Sequence, residues 1–236
     1  MPSASVPAQF PSLPLNRKLA AGVAIAAAIA WFNPFDLAFD AATFGVPVLR
    51  ALSIMVLALA GLVFAGQIGL GVEPRDFKRP ILAPIAYAAI TGVGCALADW
   101  FMRPALHGNY LQTMSAPLAL RMTAFMLRAF NENILYRLFL GSLLIWLIGL
   151  VWKRPDGRPA TGAFLAGFAL SQALNVWINV TSQAPITPIG LLHDTLRYFA
   201  PGMVWSWLYW RHGFQSNEIA STSVHLFFQP LLTLGL

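Results

Sequence analysis

An all-α, polytopic membrane helix bundle is the fold class this chain predicts, on three observations. Hydrophobic residues make up 58% of the 236 positions and charged residues only 10%, a balance that a soluble domain of this size has no way to hide from water. Several apolar stretches reach the roughly 20 residues needed to cross a hydrocarbon core. Basic residues gather in the segments between alternate stretches, as they do in a polytopic membrane protein.

Taken in order, the spans fall near Leu19–Phe35, Thr43–Val72, Ile81–Ala98, Met122–Trp152, Ala160–Val180, Thr187–Trp210 and Ile219–Leu236. The second and fourth exceed one straight crossing, so the sequence predicts seven to eight transmembrane helices. Met1 to Asn16 is rich in Pro, Ser and Ala and reads as a disordered tail; residues 17–236 form one transmembrane domain. The tail does not resemble a signal peptide, because the basic pair comes late and no small-residue cleavage site follows the apolar run. The first span reads as a retained anchor. Arg17 and Lys18, then Arg75, Lys78 and Arg79, then Lys153, Arg154 and Arg158, and finally Arg211 all fall on one side of a seven-span chain. Arg103 alone falls opposite. The expectation is a cytoplasmic N-terminus and an outer C-terminus. The net charge of +6 is accounted for by this asymmetry, and no nucleic-acid partner is expected.

Within the spans, polar side chains are few. A charge near the middle of a membrane helix costs roughly 2.5–3.5 kcal/mol on insertion scales and faces a protein interior or a wet cavity. Glu132 is such a charge. Arg121, Arg128 and Glu132 are spaced by seven and four, on one helical face, and Asn133 and Arg137 lie four apart on the neighbouring stripe. Arg128 or Arg137 can neutralise Glu132, and the structural alternative to a functional role is an ion pair that fixes packing. Gln172 sits in the next long span. His225 and Gln229 share a face of the last one. His193, Asp194 and Arg197 form a second polar group, read as an interfacial ion pair between Asp194 and Arg197; Asp99 and Arg103 are read the same way. His107 and His212 fall in loops. Cys95 is the only cysteine, which rules out an intramolecular disulfide. His-Glu-x-x-His is absent and no two histidines have ligand spacing, so no metal or other cofactor is expected. No serine stands in a nucleophile elbow. The chemistry that matches these residues is water activated by Glu132 as general base, with His225 and Gln229 donating to the developing oxyanion.

Three ordered motifs resemble the CAAX protease and bacteriocin-processing (Abi) family of intramembrane glutamic proteases. Glu132-Asn133-Ile134-Leu135-Tyr136-Arg137 resembles its Glu-Glu-x-x-x-Arg, with Asn133 in the second glutamate's place. Phe168-Ala169-Leu170-Ser171-Gln172 resembles its Phe-x-x-x-His, with Gln172 for histidine. His225-Leu226-Phe227-Phe228-Gln229 resembles its His-x-x-x-Asn/Asp. Tyr209-Trp210-Arg211-His212-Gly213 resembles the short turn into the last core helix. The motifs span Arg128 to Leu236, within a core of about 118–236. The resemblance implies Glu132 as the water-activating residue, Gln172 in a catalytic-site position, His225 and Gln229 as the oxyanion pair, and Asn133 and Arg137 as auxiliary residues. It implies an intramembrane endopeptidase, in the bacterial inner membrane, that cleaves a membrane-anchored or lipidated protein near its C-terminus. The absence of the second glutamate and of the histidine motivates an alternative, a noncatalytic relative that binds or protects against a membrane peptide. A small transporter or channel rests only on the polar residues within the spans, since the sequence shows neither the internal repeat nor the pair of broken helices that such folds display.

Overall fold

The structure, a computed structural model, describes residues 17–33, 45–75, 81–106, 114–180 and 185–235. The expected N-terminal tail, together with Lys78, Arg79 and His107, lies outside them. Among the described residues the fold is helical throughout, apart from one isolated bridge between Lys153 and Pro159. The helices are α1 (Arg17–Phe32), α2 (Pro47–Gln67), α3 (Leu82–Phe101), α4 (Leu118–Val151), α5 (Thr161–Asn179), α6 (Pro188–Asp194), α7 (Ala200–His212) and α8 (Phe214–Gly235). Four of them, α2 to α5, are long and apolar enough to cross a membrane.

The other helices fall short of these four in length or apolar character, and the reasons are local. α1 is apolar but has only 16 residues. α7 has 13, and is preceded by the seven-residue α6 and a π turn over Thr195–Phe199. α8 is long enough at 22 residues, but Ser216, Asn217, Glu218, Ser221, Thr222 and His225 dilute its apolar character. The second predicted span shortens to the 21 residues of α2, a single crossing, because Pro47 starts the helix and Gly69, at φ 77°, follows its end. The fourth remains one continuous 34-residue rod.

α4 is not regular. Its centre, Asn133–Gly141, is π-helical, a geometry that is rare and recurs at functional positions. The wider turn is held by its neighbours. Gly61 of α2 packs so closely on Leu138 that a Cβ there would lie 2.8 Å from the Leu138 backbone. Ser171 of α5 donates to the Tyr136 carbonyl. The Ser142 and Tyr209 hydroxyls share a hydrogen bond of 3.1 Å, joining α4 to α7. One apolar cluster packs α1, α2, α4 and α5 around Ile54, Leu138, Ile145 and Phe168. A second packs α3, α7 and α8 around Ala88, Leu208, Phe228 and Leu232. Large apolar side chains such as Val56, Ile90, Leu165 and Leu170 face outward, as a lipid-contacting surface requires.

The basic segments gather at one end of the bundle. Lys18, at the start of α1, lies 3.8 Å from Glu73, just beyond α2. Phe164, at the start of α5, stacks on Trp210, at the end of α7 (5.0 Å between centroids, 5° between planes). A backbone clasp closes this end: Arg75 N–H donates to the His212 carbonyl at 2.9 Å, and Phe214 and Gln215 N–H donate to Gly71 and Val72. Gly213 makes the clasp possible. Its φ is 92°, and a Cβ there would sit 2.1 Å from the Glu73 carbonyl oxygen. Gly213→Ala is expected to destabilise the protein by about 1–3 kcal/mol through this left-handed strain, read as a lower unfolding midpoint in detergent, with the larger loss if the clasp breaks.

Candidate functional site

The rod α4 supplies the start of the site. Arg128 and Glu132 lie one turn apart, and Arg128 Nε donates to Glu132 Oε1 at 2.7 Å. Arg128 also reaches Asn179 Oδ1 on α5 at 3.3 Å. Arg121, expected on the same face, turns instead to α8, where it donates to Thr233 Oγ1 at 2.6 Å. Of the arginines weighed as partners for Glu132, Arg128 is the one in hydrogen-bond contact. The bond engages one carboxylate oxygen; no protein donor among the described residues reaches Oε2, which leaves that oxygen for water or a ligand.

Glu132 lines a partly open cavity of about 310 Å³, at the lower limit of small-ligand pockets. Asn133 and Arg137 from α4, Gln172 from α5 and His225 from α8 line it too. Residues almost a hundred positions apart, singled out as motif positions, thus converge on one space. Its apolar wall is built from Phe125, Val176, Trp205, Val224 and Phe228. His225 stacks on Phe125 (5.5 Å, 20°). Its Nδ1 is buried without a hydrogen-bond partner, a state that a bound water or ligand relieves.

Gln172 is held on both ends of its amide. Its Oε1 accepts from Arg137 Nη2 at 2.7 Å, and its Nε2 donates to the Tyr198 carbonyl at 3.2 Å. An amide so fixed positions neighbouring groups but exchanges no proton. The approach of α7 that permits this depends on Gly202: a Cβ there would lie 2.0 Å from Gln172 Cδ. Gly202→Ala is expected to cost about 1–3 kcal/mol by overpacking, and Gln172→Ala in the same chain is expected to recover most of that loss. A double-mutant cycle on thermal unfolding checks it.

Gln229 departs from the expected site. It is buried at 1% exposure, does not line the cavity, and its Oε1 lacks a partner. His225 and Gln229 share a helical stripe, but one turn separates their depths, and Phe228 rather than Gln229 fills the cavity wall. Of that expected pair, His225 lines the cavity, with Asn175, Asn179 and Tyr198 as further polar groups present.

Two features escaped the sequence. Glu218 lies just outside the predicted last span, but α8 begins at Phe214 and carries it inside. Its Oε2 accepts from Asn133 Nδ2 at 3.1 Å, and Asn133 also donates to Ser221. The amide at position 133 thus meets a carboxylate from another helix. Asn175 and Asn179 were legible in principle, since they follow Gln172 by three and seven residues on α5; their amides hydrogen-bond each other at 2.8 Å, and Asn179 donates to the Tyr136 hydroxyl at 3.1 Å.

The second polar group is buried rather than interfacial. Asp99 is fully buried. His193 Nε2 lies 2.9 Å from Asp99 Oδ1 and His193 Nδ1 lies 3.3 Å from Asp194 Oδ1. Arg197 Nε lies 3.3 Å from Asp99. The pairing runs between α3 and the α6–π segment, across 94 and 98 residues, where sequence spacing suggested local pairs. Arg197 also caps the Phe228 ring at 3.9 Å and lines the cavity, which connects this cluster to the candidate site. No group of three or more metal-ligating side chains forms among the described residues.

No protein-family model, no curated protein and no solved structure matches this chain.

Proposed function

We propose that the chain is an intramembrane endopeptidase, a hydrolase resembling the CAAX proteases, that cleaves a membrane-anchored or lipidated protein near its C-terminus. The observation that carries the reading is the convergence of Glu132, Gln172 and His225, from three helices, on one cavity with both polar and apolar walls. In this reading, water bound to Glu132 Oε2 attacks the scissile carbonyl. Glu132 takes its proton as the new C–O bond forms, His225 hydrogen-bonds the oxyanion, and the proton passes to the leaving amine as the C–N bond breaks. Arg128 keeps the carboxylate aimed. Arg137 and Asn133 hold Gln172 and the π segment in place, and the apolar wall takes the hydrocarbon part of the substrate. The chain would cross the inner membrane of a bacterium seven times, with α1, α7 and α8 completing the four longer spans and the basic end in the cytoplasm.

A noncatalytic reading has its own observation: Gln229 lies off the cavity, and both ends of the Gln172 amide are already engaged. Such a protein would bind a membrane peptide without turnover. The two readings separate when purified protein in proteoliposomes meets a tagged, prenylated peptide and the products are read by mass spectrometry. Cleavage by the wild type that vanishes in Glu132→Ala supports the peptidase. Retention of intact peptide with no cleavage, together with new cleavage by Gln172→His, supports the binding protein.

A further inference from the structure

At the basic end of the bundle lies a second pocket, of about 440 Å³, outside the candidate site. Leu70, Phe164 and Trp210 form its apolar floor, and Arg75, Arg211 and His212 stand around it. These residues come from the segment that follows α2, the start of α5 and the end of α7, so the pocket exists only in the assembled bundle. The clasp holds its rim: Arg75 N–H is bonded to the His212 carbonyl, and His212 Nδ1 lies 3.2 Å from the Arg75 carbonyl oxygen. His212 was expected to be an uninformative loop residue; it is the last residue of α7.

The charge of the pocket is one-sided. Among the described residues no acidic side chain lines it. The nearest acid in the clasp, Glu73, is paired with Lys18 at 3.8 Å. Arg75 and Arg211 are both exposed, and among the described residues neither has a carboxylate within ion-pair distance. Arg211 lies over the Trp210 ring at 5.8 Å, which points its cation along an aromatic surface. Tryptophan beside arginine at the end of membrane helices is the composition of the headgroup layer, and basic pockets between such helices take anionic headgroups.

We propose that this pocket binds the phosphate of an anionic lipid headgroup, with Arg75 and Arg211 as its cationic ligands and the lipid's glycerol and first methylenes against Trp210 and Phe164. The proposal is independent of catalysis: it stands or falls whether or not the cavity at Glu132 turns over a substrate. A phosphate there joins the segment that follows α2 to the end of α7 and reinforces the clasp between them.

The test is native mass spectrometry of the full chain in detergent, titrated in parallel with dioleoylphosphatidylglycerol, dioleoylphosphatidylcholine and inorganic phosphate. The expected result is one phosphatidylglycerol retained at least about tenfold more strongly than phosphatidylcholine, as two interfacial cations warrant. Arg75→Gln with Arg211→Gln is expected to erase that preference. Arg154→Gln with Arg158→Gln, which removes equal charge from the same end outside the pocket, is expected to keep it. Both substituted pairs are exposed, so unchanged unfolding midpoints in zwitterionic micelles show that the fold persists. Equal retention of the two lipids, or a preference that survives loss of Arg75 and Arg211, or one lost equally with Arg154 and Arg158, overturns the proposal. Displacement of the lipid by millimolar inorganic phosphate overturns the lipid assignment in favour of a free phosphate ligand.

Discussion

Glu132→Gln is expected to lower peptide cleavage by about 10²–10⁴-fold, the range that a positioned general base contributes. The substitution keeps the shape of the side chain and lets its amide oxygen accept from Arg128, whose Nε now lies 2.7 Å from Oε1. It removes the ability to take a proton from water. The loss should therefore appear in kcat with KM little changed, and the unfolding midpoint should fall only slightly, because both partners are partly exposed to the cavity. A large fall in stability with turnover intact would make Glu132 a packing residue. Initial-rate kinetics and thermal unfolding on the same preparation distinguish these outcomes.

Asp99→Ala is expected to have the largest effect on stability, about 3–5 kcal/mol, the loss that follows when one partner is removed from a buried charged network. Asp99 is the junction between His193 and Arg197. Without it, Arg197 keeps its position over Phe228 but loses a carboxylate 3.3 Å away, and His193 retains only Asp194. Arg197 lines the cavity, so disorder there should spread to the site. Detergent-resistant thermal unfolding reads the effect. A midpoint shift equal to that of an exposed substitution such as Asp156→Ala would show that the network contributes no more than a surface pair, for which about 0–1 kcal/mol is usual.

The long apolar helices and much of the candidate site were legible because their signals are local. A run of twenty apolar residues announces α2 or α3 without reference to the rest of the chain. Glu132 with Arg128 was legible because a helix makes neighbours of residues four apart. The π segment was not, since its wider turn depends on Gly61, Ser171 and Tyr209, contributed by three other helices. Glu218 was hidden by a helix boundary: the clasp at Gly213 starts α8 several residues before the apolar run does. The pairing of Asp99 with His193 joins residues 94 positions apart and has no local trace, so nearest-neighbour spacing pointed to Arg103 and Arg197 in separate pairs. Gln229 shows the converse error. A shared helical stripe placed it beside His225, but the cavity ends at Phe228, and a stripe says nothing about depth.

The most direct measurement of the central claim is isotope incorporation from solvent. Purified protein in proteoliposomes, supplied with a prenylated, tagged peptide in water enriched in oxygen-18, is expected to yield a shorter product. Its new C-terminal carboxyl should carry one solvent oxygen, as water attack requires, and no such product should form with Glu132→Gln. Labelled product formed equally by both proteins would contradict water activation at Glu132, as would intact peptide recovered from a folded wild-type protein.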